Sequence, residues 1–301
     1  MMKKSIRFII NPFSGTSGKQ STPELIDKHI DKTKFEYEVL FTEYAGHATV
    51  LAKDAVDKNV DLVAAVGGDG SVNEVAKALI GTSTALVVVP GGSGNGFSMH
   101  MGLGRNIIKA IQVINTGRII EIDTCSVNER FFINVSGLGF DARIAYMTKQ
   151  NKKRGFFPYF MTSIREARKF RTQTLEIDVD GKVYKGEFAA AVVANASMYG
   201  YYFTIAPLAS MQDGIMDIML IKKAPLFRYF LMTFRFLNRS LHKSKITQTL
   251  QGKSISIKYD GENFLHVDGE GFRSKEKLVF NINPLSLKLL APADENVNWK
   301  L

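Results

Sequence analysis

Apolar and polar positions follow two different rhythms along the 301 residues. From residue 5 to about 126, short runs rich in β-branched side chains are spaced by stretches with a helical period. Ile6–Ile10, Tyr37–Thr42, Leu62–Val66 and Ala85–Pro90 predict strands, and Pro23–His29, Ala45–Lys58 and Val72–Ile80 predict helices between them. Strands separated by single helices pair in parallel. This half therefore predicts an α/β domain with a doubly wound, mostly parallel sheet whose ligands gather at the carboxyl ends of the strands.

After residue 127 strands and turns follow one another closely. Arg130–Ser136, Thr174–Val179, Val183–Asn195, Gly214–Lys222, Ser254–Tyr259, Phe264–Val267, Lys277–Ile282 and Leu285–Leu290 predict strands. Asp180-Gly181 and Asp260-Gly261 provide turn chemistry, because both residue types tolerate the left-handed backbone that tight turns need. The pattern predicts an all-β-rich antiparallel sandwich with helical insertions near 142–170 and 224–243. The expected division is 1–126 and 127–291, with Pro292–Leu301 packing back on the first domain.

With 45% hydrophobic residues and no low-complexity tract, the chain is long enough for two packed domains. The single cysteine, Cys125, has no partner for a disulfide, a thiolate metal site or a redox pair. The apolar stretch at the N-terminus ends at Asn11-Pro12 without a small-residue cleavage site, so it reads as a first strand and not as a secretory leader. The expected compartment is a reducing cytoplasm. A net charge of +10 favours anionic partners: nucleic acid, acidic lipid headgroups or phosphorylated substrates. No run reaches the roughly 18 apolar residues of a spanning helix, and the longest, Leu226–Leu237, is interrupted by Arg228 and Arg235.

Three glycine-rich segments each follow an apolar strand: Asn11-Pro12-Phe13-Ser14-Gly15-Thr16-Ser17-Gly18-Lys19, Gly67-Gly68-Asp69-Gly70-Ser71 and Pro90-Gly91-Gly92-Ser93-Gly94-Asn95-Gly96. Without a Cβ, backbone N–H groups can turn toward one point, and a following helix N-terminus favours phosphate. Any one of these loops is equally well a tight strand-to-helix turn, whereas three on successive strand ends read as a polyphosphate cradle. The first lacks the Walker spacing, and Gln20 replaces the hydroxyl that would bind Mg²⁺. No early Gly-x-Gly-x-x-Gly turn marks a dinucleotide fold. A carboxylate at Asp69, between glycines, would repel phosphate unless it serves a cation or a substrate hydroxyl, which suggests Mg²⁺-dependent phosphoryl transfer.

Val66-Gly67-Gly68-Asp69-Gly70-Ser71-Val72-Asn73-Glu74 resembles the nucleotide loop of the bacterial diacylglycerol kinase and sphingosine kinase-like lipid kinases, which share their Gly-Gly-Asp-Gly core with NAD kinase and phosphofructokinase. The resemblance extends in order through Asn11–Gly15, Thr42, Gly46-His47-Ala48, Gly92–Asn95, Ile122-Asp123, Gly137–Asp141, Ala206–Ser210, Asp213-Gly214 and Val267–Glu270. It implies ATP and Mg²⁺ as cofactors. ATP would be held by Asn11, Pro12, Phe13, Ser14, Gly15, Thr42, Gly68, Asp69, Gly70, Ser71, Val72, Asn73, Glu74, Ser93 and Asn95, largely through backbone groups.

It also implies that Glu270 takes the proton of the acceptor hydroxyl, whose pKa near 15 otherwise makes it a poor nucleophile. Locally, Asp268-Gly269-Glu270 reads as a hairpin turn with solvated acids, and only the resemblance points it to catalysis. Asp69 and Asp123 would hold a catalytic Mg²⁺ through water, and Ser210, Asp213 and the Ile215 carbonyl a structural one. The plain alternatives are a strand-end cap at Asp123 and an Asp-Gly turn at 213. Glycerolipid kinases of this family usually carry an acid after the loop asparagine, whereas Gly96 follows Asn95 here. That form is closer to sphingosine and ceramide kinases and leaves the acceptor open. Asp141 would then meet the lipid headgroup, or else cap its helix.

Two basic insertions, Lys149–Phe160 with Arg165, Arg168, Lys169 and Arg171, and Lys222–Lys245, combine cations with large apolar side chains. In the second, Arg228, Arg235, Arg239 and His242 fall on one face at helical spacing, which suits a helix lying on anionic headgroups and equally a core helix with one solvated stripe. No recognition helix or stacking platform supports a nucleic-acid partner. The expectation is an ATP-dependent lipid kinase, peripheral to the inner face of a membrane, with a homodimer as an open state of assembly. The rivals are a kinase for a soluble acceptor such as NAD and a non-catalytic lipid-binding regulator.

Overall fold

The computed structural model describes residues 3–15, 21–150, 155–167 and 169–293. Thr16–Gln20, the core of the basic segment at 151–154, Arg168, and the tail from 294 lie outside them. The chain forms two compact units. One holds the described residues up to Ile122 together with those from Leu285 onward, and the other is Asp123–Pro284. Strands β5 (Arg118–Val127) and β15 (Leu278–Ala291) are the two that cross this division.

The first unit contains β1 (Lys4–Ile10), α1 (Thr22–His29), β2 (Phe35–Phe41), α2 (His47–Asp57), β3 (Leu62–Gly67), α3 (Asp69–Leu79), β4 (Ala85–Pro90), α4 (Gly96–His100) and α5 (Ile107–Thr116). Its strands are ordered β2-β1-β3-β4-β15, and every pairing is parallel. β3 and β4 are buried along their whole length, as strands covered by helices on both faces must be. Helix starts follow local chemistry: Pro23 opens α1, and the Asn106 side chain accepts the Lys109 N–H at the start of α5. The result is the doubly wound parallel sheet expected from the sequence.

Among its described residues this unit buries the charge of an arginine. Arg7 of β1, 2% exposed, donates to Glu38 and Asp54, each at 2.6 Å, and to the Leu51 carbonyl at 2.8 Å. Both carboxylates are about half exposed, at 49% and 47%, so they can rehydrate if the arginine is lost, whereas the guanidinium cannot if they are lost. Glu38→Ala with Asp54→Ala is therefore expected to destabilise the fold by about 3 kcal/mol or more, and Arg7→Met by clearly less. Urea unfolding of the two variants measures the difference, and equal costs would show that the ion pairs are not what holds Arg7.

The second unit contains β6 (Arg130–Phe132), β7 (Val135–Gly139), α6 (Phe140–Lys149), α7 (Phe156–Ala167), β8 (Gln173–Val179), β9 (Lys182–Ala194), β10 (Met216–Lys222), α8 (Leu226–Leu237), β11 (Thr247–Gly252), β12 (Ser254–Tyr259), β13 (Asn263–Val267) and β14 (Glu270–Ser274). The strands run β14-β13-β7-β9-β8-β12-β15, with β10 beside β9 and β11 beside β10. The pairings of β7 through β14 are antiparallel. One apolar core collects inward side chains from these strands, including Phe132, Leu138, Ile177, Val193, Ile218, Ile255, Leu265 and Phe280. A second covers the opposite face of β9 and β10 and is closed by Met232 of α8. This is the antiparallel sandwich the sequence predicts.

Three details differ from the sequence reading. Arg130–Ser136 is two strands and not one, because the N–H groups of Ile133, Asn134 and Val135 leave the ladder to bind the Asp268 carboxylate at 3.0–3.1 Å. Lys277–Ile282 and Leu285–Leu290 are one long strand, with Leu285 at φ 47° marking its passage between units. The Asp260-Gly261 turn joins strands that are not neighbours, whereas Asp180-Gly181 and Asp268-Gly269 each close a two-residue hairpin with both residues at positive φ.

Candidate active site

In the first unit the three glycine loops leave the carboxyl ends of β1, β3 and β4 and pack backbone against backbone. Asn11 N–H donates to the Val66 carbonyl at 3.0 Å, and Gly91 N–H to the Gly67 carbonyl at 2.7 Å. The Asn11 amide reaches Ser71 Oγ at 3.0 Å, and Ser14 Oγ lies 3.4 Å from the Gly91 carbonyl. A Cβ on Gly92 would lie 2.4 Å from Gly68 Cα, and one on Gly15 would lie 2.5 Å from the Gly91 oxygen. Asn95, at φ 54°, braces the third loop by exchanging two 2.8 Å hydrogen bonds with the backbone of Gly92. The described parts of the three loops thus meet, and α3 begins beside them at Asp69.

Asp69 has a role the sequence did not reveal. Its two oxygens accept the Gly96 and Phe97 N–H groups, each at 3.0 Å, and so tie the second loop to the start of α4. Burial pushes its carboxyl up, opposed by these two amide donors. Each oxygen accepts one hydrogen bond from these amides and keeps a further acceptor site, open to water or a cation.

Other members of the predicted set are placed more peripherally. Glu74 accepts from the Gly46 N–H at 3.0 Å, and its carbonyl accepts from Thr49 Oγ1 at 2.8 Å, so it positions the start of α2. Val72 is buried on the core side of α3, which leaves only its backbone for a ligand, and Phe13 is 68% exposed. Thr42 is buried and donates its N–H to the Ile10 carbonyl. Lys19 and Gln20, which set the first loop apart from a Walker sequence, lie outside the described residues.

The acids implicated in the second unit fall into three groups. Glu270 is the first residue of β14, directly after the Asp268-Gly269 turn. Its side chain is 73% exposed and meets Lys149 Nζ at 2.8 Å. The local hairpin reading is correct, but the turn is anchored and not loose: Asp268 is buried and grips the backbone at 133–135. Gly271 allows α6 to lie against β14, since a Cβ there would meet Tyr146 N at 2.3 Å.

Asp141 does not cap α6, whose cap position is Gly139. Its Oδ2 accepts from Tyr199 OH at 2.7 Å and sits 3.0 Å from His266 Nε2. Burial, with the nearby Asp141 charge, pushes the Tyr199 hydroxyl well up. Tyr199 and His266 were not found from sequence. A tyrosine in an aromatic turn and a histidine on an inward strand position look like ordinary packing until their partner is known.

Asp123 is fully buried, and its Oδ2 accepts the Gly214 N–H at 2.8 Å. Asp213 Oδ1 accepts the Ile215 N–H at 3.1 Å, and Ser210 Oγ lies 3.4 Å from the Gln212 N–H. Asp123 therefore joins the loop proposed for the structural ion. Burial, aided by the charge on Asp123, pushes the Asp213 carboxyl up. Asp217, a lone acid in the apolar run of β10, was missed although that position is the signal for it. It is pushed up to about 6, chiefly by burial and also by Asp213, against the opposing hydrogen bond from Gln251. Its Oδ2 has no hydrogen-bond partner among the described residues.

By their chemistry these carboxylates are oxygen donors of the kind Mg²⁺ takes, and Asp217 Oδ2 is an orphaned buried oxygen. Among the described residues no three His, Cys, Asp or Glu side chains are grouped to ligate one, so carbonyls and waters would complete the shell, as Mg²⁺ accepts.

In chelator-containing buffer Asp217 should oppose folding. Between pH 3.8 and about 6 the unfolded chain is ionised while the folded chain still holds the proton, so stability falls as pH rises through that window. Asp217→Asn is expected to flatten that slope and raise stability at pH 7.5 by up to about 3 kcal/mol. Urea unfolding across pH tests this, and an unchanged slope would show that Asp217 is ionised at little cost.

Comparison with known proteins matches two successive stretches of the chain. Residues 5–127 match the diacylglycerol kinase catalytic domain, and residues 134–291 match the YegS C-terminal NAD kinase beta sandwich-like domain. The chain is 30% identical over 274 residues to a diacylglycerol kinase of Bacillus subtilis strain 168, covering 89% of this chain and 90% of that one. It is 28% identical over 275 residues to a diacylglycerol kinase of Staphylococcus carnosus strain TM300, covering 89% of each. A crystal structure of a diacylglycerol kinase from Bacillus anthracis strain Sterne shares the fold, with a TM-score of 0.76 at 22% identity over 98% of both chains.

Proposed function

We propose, from the premise that this chain belongs to the diacylglycerol kinase catalytic-domain family and is a lipid kinase, that it transfers the γ-phosphoryl group of ATP to a hydroxyl of a membrane lipid. The observation that carries the nucleotide half is the convergence of three glycine loops on the N-terminal turn of α3, with contacts so close that only glycine fits at Gly92 and Gly15. Backbone N–H groups gathered there suit a triphosphate, and Ser93, Asn95 and the residues at 11–15 and 68–74 supply its surroundings.

Phosphoryl transfer needs little covalent help from a protein and depends on positioning and charge. Glu270 takes the proton as the acceptor oxygen bonds to phosphorus. Its place after an anchored two-residue turn, and its exposure, support that role. Asp69 would hold a catalytic Mg²⁺ through water, and Asp123 with Ser210, Asp213 and Ile215 a structural one. Mg²⁺, when bound, neutralises charge on the phosphate oxygens. Asp141, held by Tyr199 and His266, is the residue assigned to the lipid headgroup.

Diacylglycerol and a sphingoid-type lipid remain the two acceptor classes. Gly96 after Asn95 favours the second on sequence grounds. Catalysis at the inner face of a membrane in the cytoplasm completes the proposal, and the net charge of +10 supports it. Incubation with labelled ATP, Mg²⁺ and a total lipid extract, followed by identification of the product, tests the whole reading. A labelled lipid that fails to form without Mg²⁺ is expected. Label appearing only in a soluble acceptor such as NAD would overturn it.

A further inference from the structure

Helix α8 carries two apolar faces, and the fold uses only one. Tyr229, Met232 and Phe236 pack on the core that covers the outer face of β9 and β10. On the other side, Phe227, Phe230, Leu231, Phe234 and Leu237 fall within a sector of about 120° at helical spacing. All five are between 52% and 66% exposed. Single exposed apolar side chains are ordinary on a protein surface, but five large ones in one continuous stripe mark an interaction face.

The helix also corrects the sequence reading of this segment. It ends at Leu237, so Arg239, at φ 57°, and His242, in the short 3-10 turn Leu241–Lys243, do not extend a basic helical face. Arg228 and Arg235 lie along one border of the stripe, and Arg235 folds back to the Ser240 carbonyl at 3.3 Å. The outward face is thus apolar with a cationic edge, and not cationic with scattered apolar residues.

The charge around the stripe identifies its occupant. Residues 222–245 contain seven Lys and Arg and no Asp or Glu. In a symmetric dimer through this face, residues 222–245 of the second copy would bring no acidic side chain to either cationic border. An anionic bilayer offers the opposite: headgroup charge for the border and an acyl boundary for the stripe. Helix α7 repeats the spacing with Phe157, Phe160, Met161 and Ile164, all exposed.

We propose that α8 is the element that seats this kinase in the interfacial layer of an anionic bilayer, its apolar stripe entering the acyl boundary and its cations meeting the headgroups. This deepens the reading above and rests on the acceptor being a membrane lipid.

The test uses the full chain with Trp299→Phe, which removes the only native tryptophan, and Phe230→Trp as the reporter. Vesicles of phosphatidylglycerol and phosphatidylcholine carry brominated acyl chains. The expected result is a blue shift with quenching by the bromines, part of which persists in high salt because the contact is apolar. A second variant, Phe227→Ser with Phe230→Ser and Phe234→Ser, should bind the same vesicles at least tenfold more weakly while keeping kcat on a detergent-dispersed acceptor. Absence of shift and quenching overturns the proposal even if the triple variant fails to fold. So does unchanged vesicle binding by a folded triple variant that has turned from dimer to monomer, since the occupant is then a second copy. Quenching without phosphorylation of any lipid would uphold this proposal and sink the kinase reading, whereas phosphorylation of vesicle lipid by an unquenched enzyme would do the reverse.

Discussion

Glu270→Gln is expected to lower kcat by about 10³-fold while leaving ATP affinity unchanged. The amide keeps the shape of the carboxylate but cannot accept a proton, so the acceptor alcohol must react without its base. The side chain is 73% exposed, and among the described residues its ion pair is with Lys149, a surface contact of small energetic weight. Loss of turnover in Glu270→Gln would therefore report chemistry and not unfolding. The turn behind it should matter through placement. Asp268→Asn weakens the hold on the Ile133–Val135 backbone and should give a smaller loss of kcat with a loss of stability. Steady-state kinetics with an independent ATP-binding measurement separates the two effects, and full activity in Glu270→Gln would remove that residue from the mechanism.

Gly92→Ala is the change expected to damage the nucleotide site most. The added Cβ would sit 2.4 Å from Gly68 Cα and 2.8 Å from Asn95 Oδ1, against the roughly 3.5–4.0 Å of normal carbon contact. Neither neighbour is the free end of a flexible side chain. One is backbone, and the other is fixed by its two bonds to Gly92 itself. The second and third loops must part by about 1 Å, and a displacement of that size costs about 10²-fold in a positioned reaction. ATP affinity and kcat should both fall. Gly70→Ala, where a Cβ meets nothing within 4 Å, is the control and should be mild. Equal effects of the two substitutions would show that close packing of the loops is not what the nucleotide site requires.

Much of this molecule could be read from residue order. β3 and β4 are unbroken apolar runs that lead into glycine loops, and such a run between helices has few options other than a central parallel strand. Asp180-Gly181 specified its hairpin by its own backbone preference. Other elements left no such mark. β11 is the polar Thr247–Gly252 segment, which is a strand because β10 offers it a ladder. α5 and β5 are rich in isoleucine and valine, residues equally at home in a helix packed on a sheet and in a strand.

The candidate site divides along the same line. Local sequence fixed which loops are rich enough in glycine to bring backbone N–H groups together, because conformational freedom belongs to each residue by itself. What each carboxylate does belongs to its surroundings. Asp69 braces α4, Asp268 gathers three amides from a segment more than 130 residues away, Asp123 joins the 210–215 loop, and Asp141 meets Tyr199 and His266. The outward apolar stripe of α8 was hidden for the same reason: the sequence shows apolar residues all around the helix, and only packing decides which of them the core takes. Sequence determined backbone propensity and the inventory of chemical groups. Tertiary structure alone decided burial, partners and charge environment, because those depend on residues far apart in the chain.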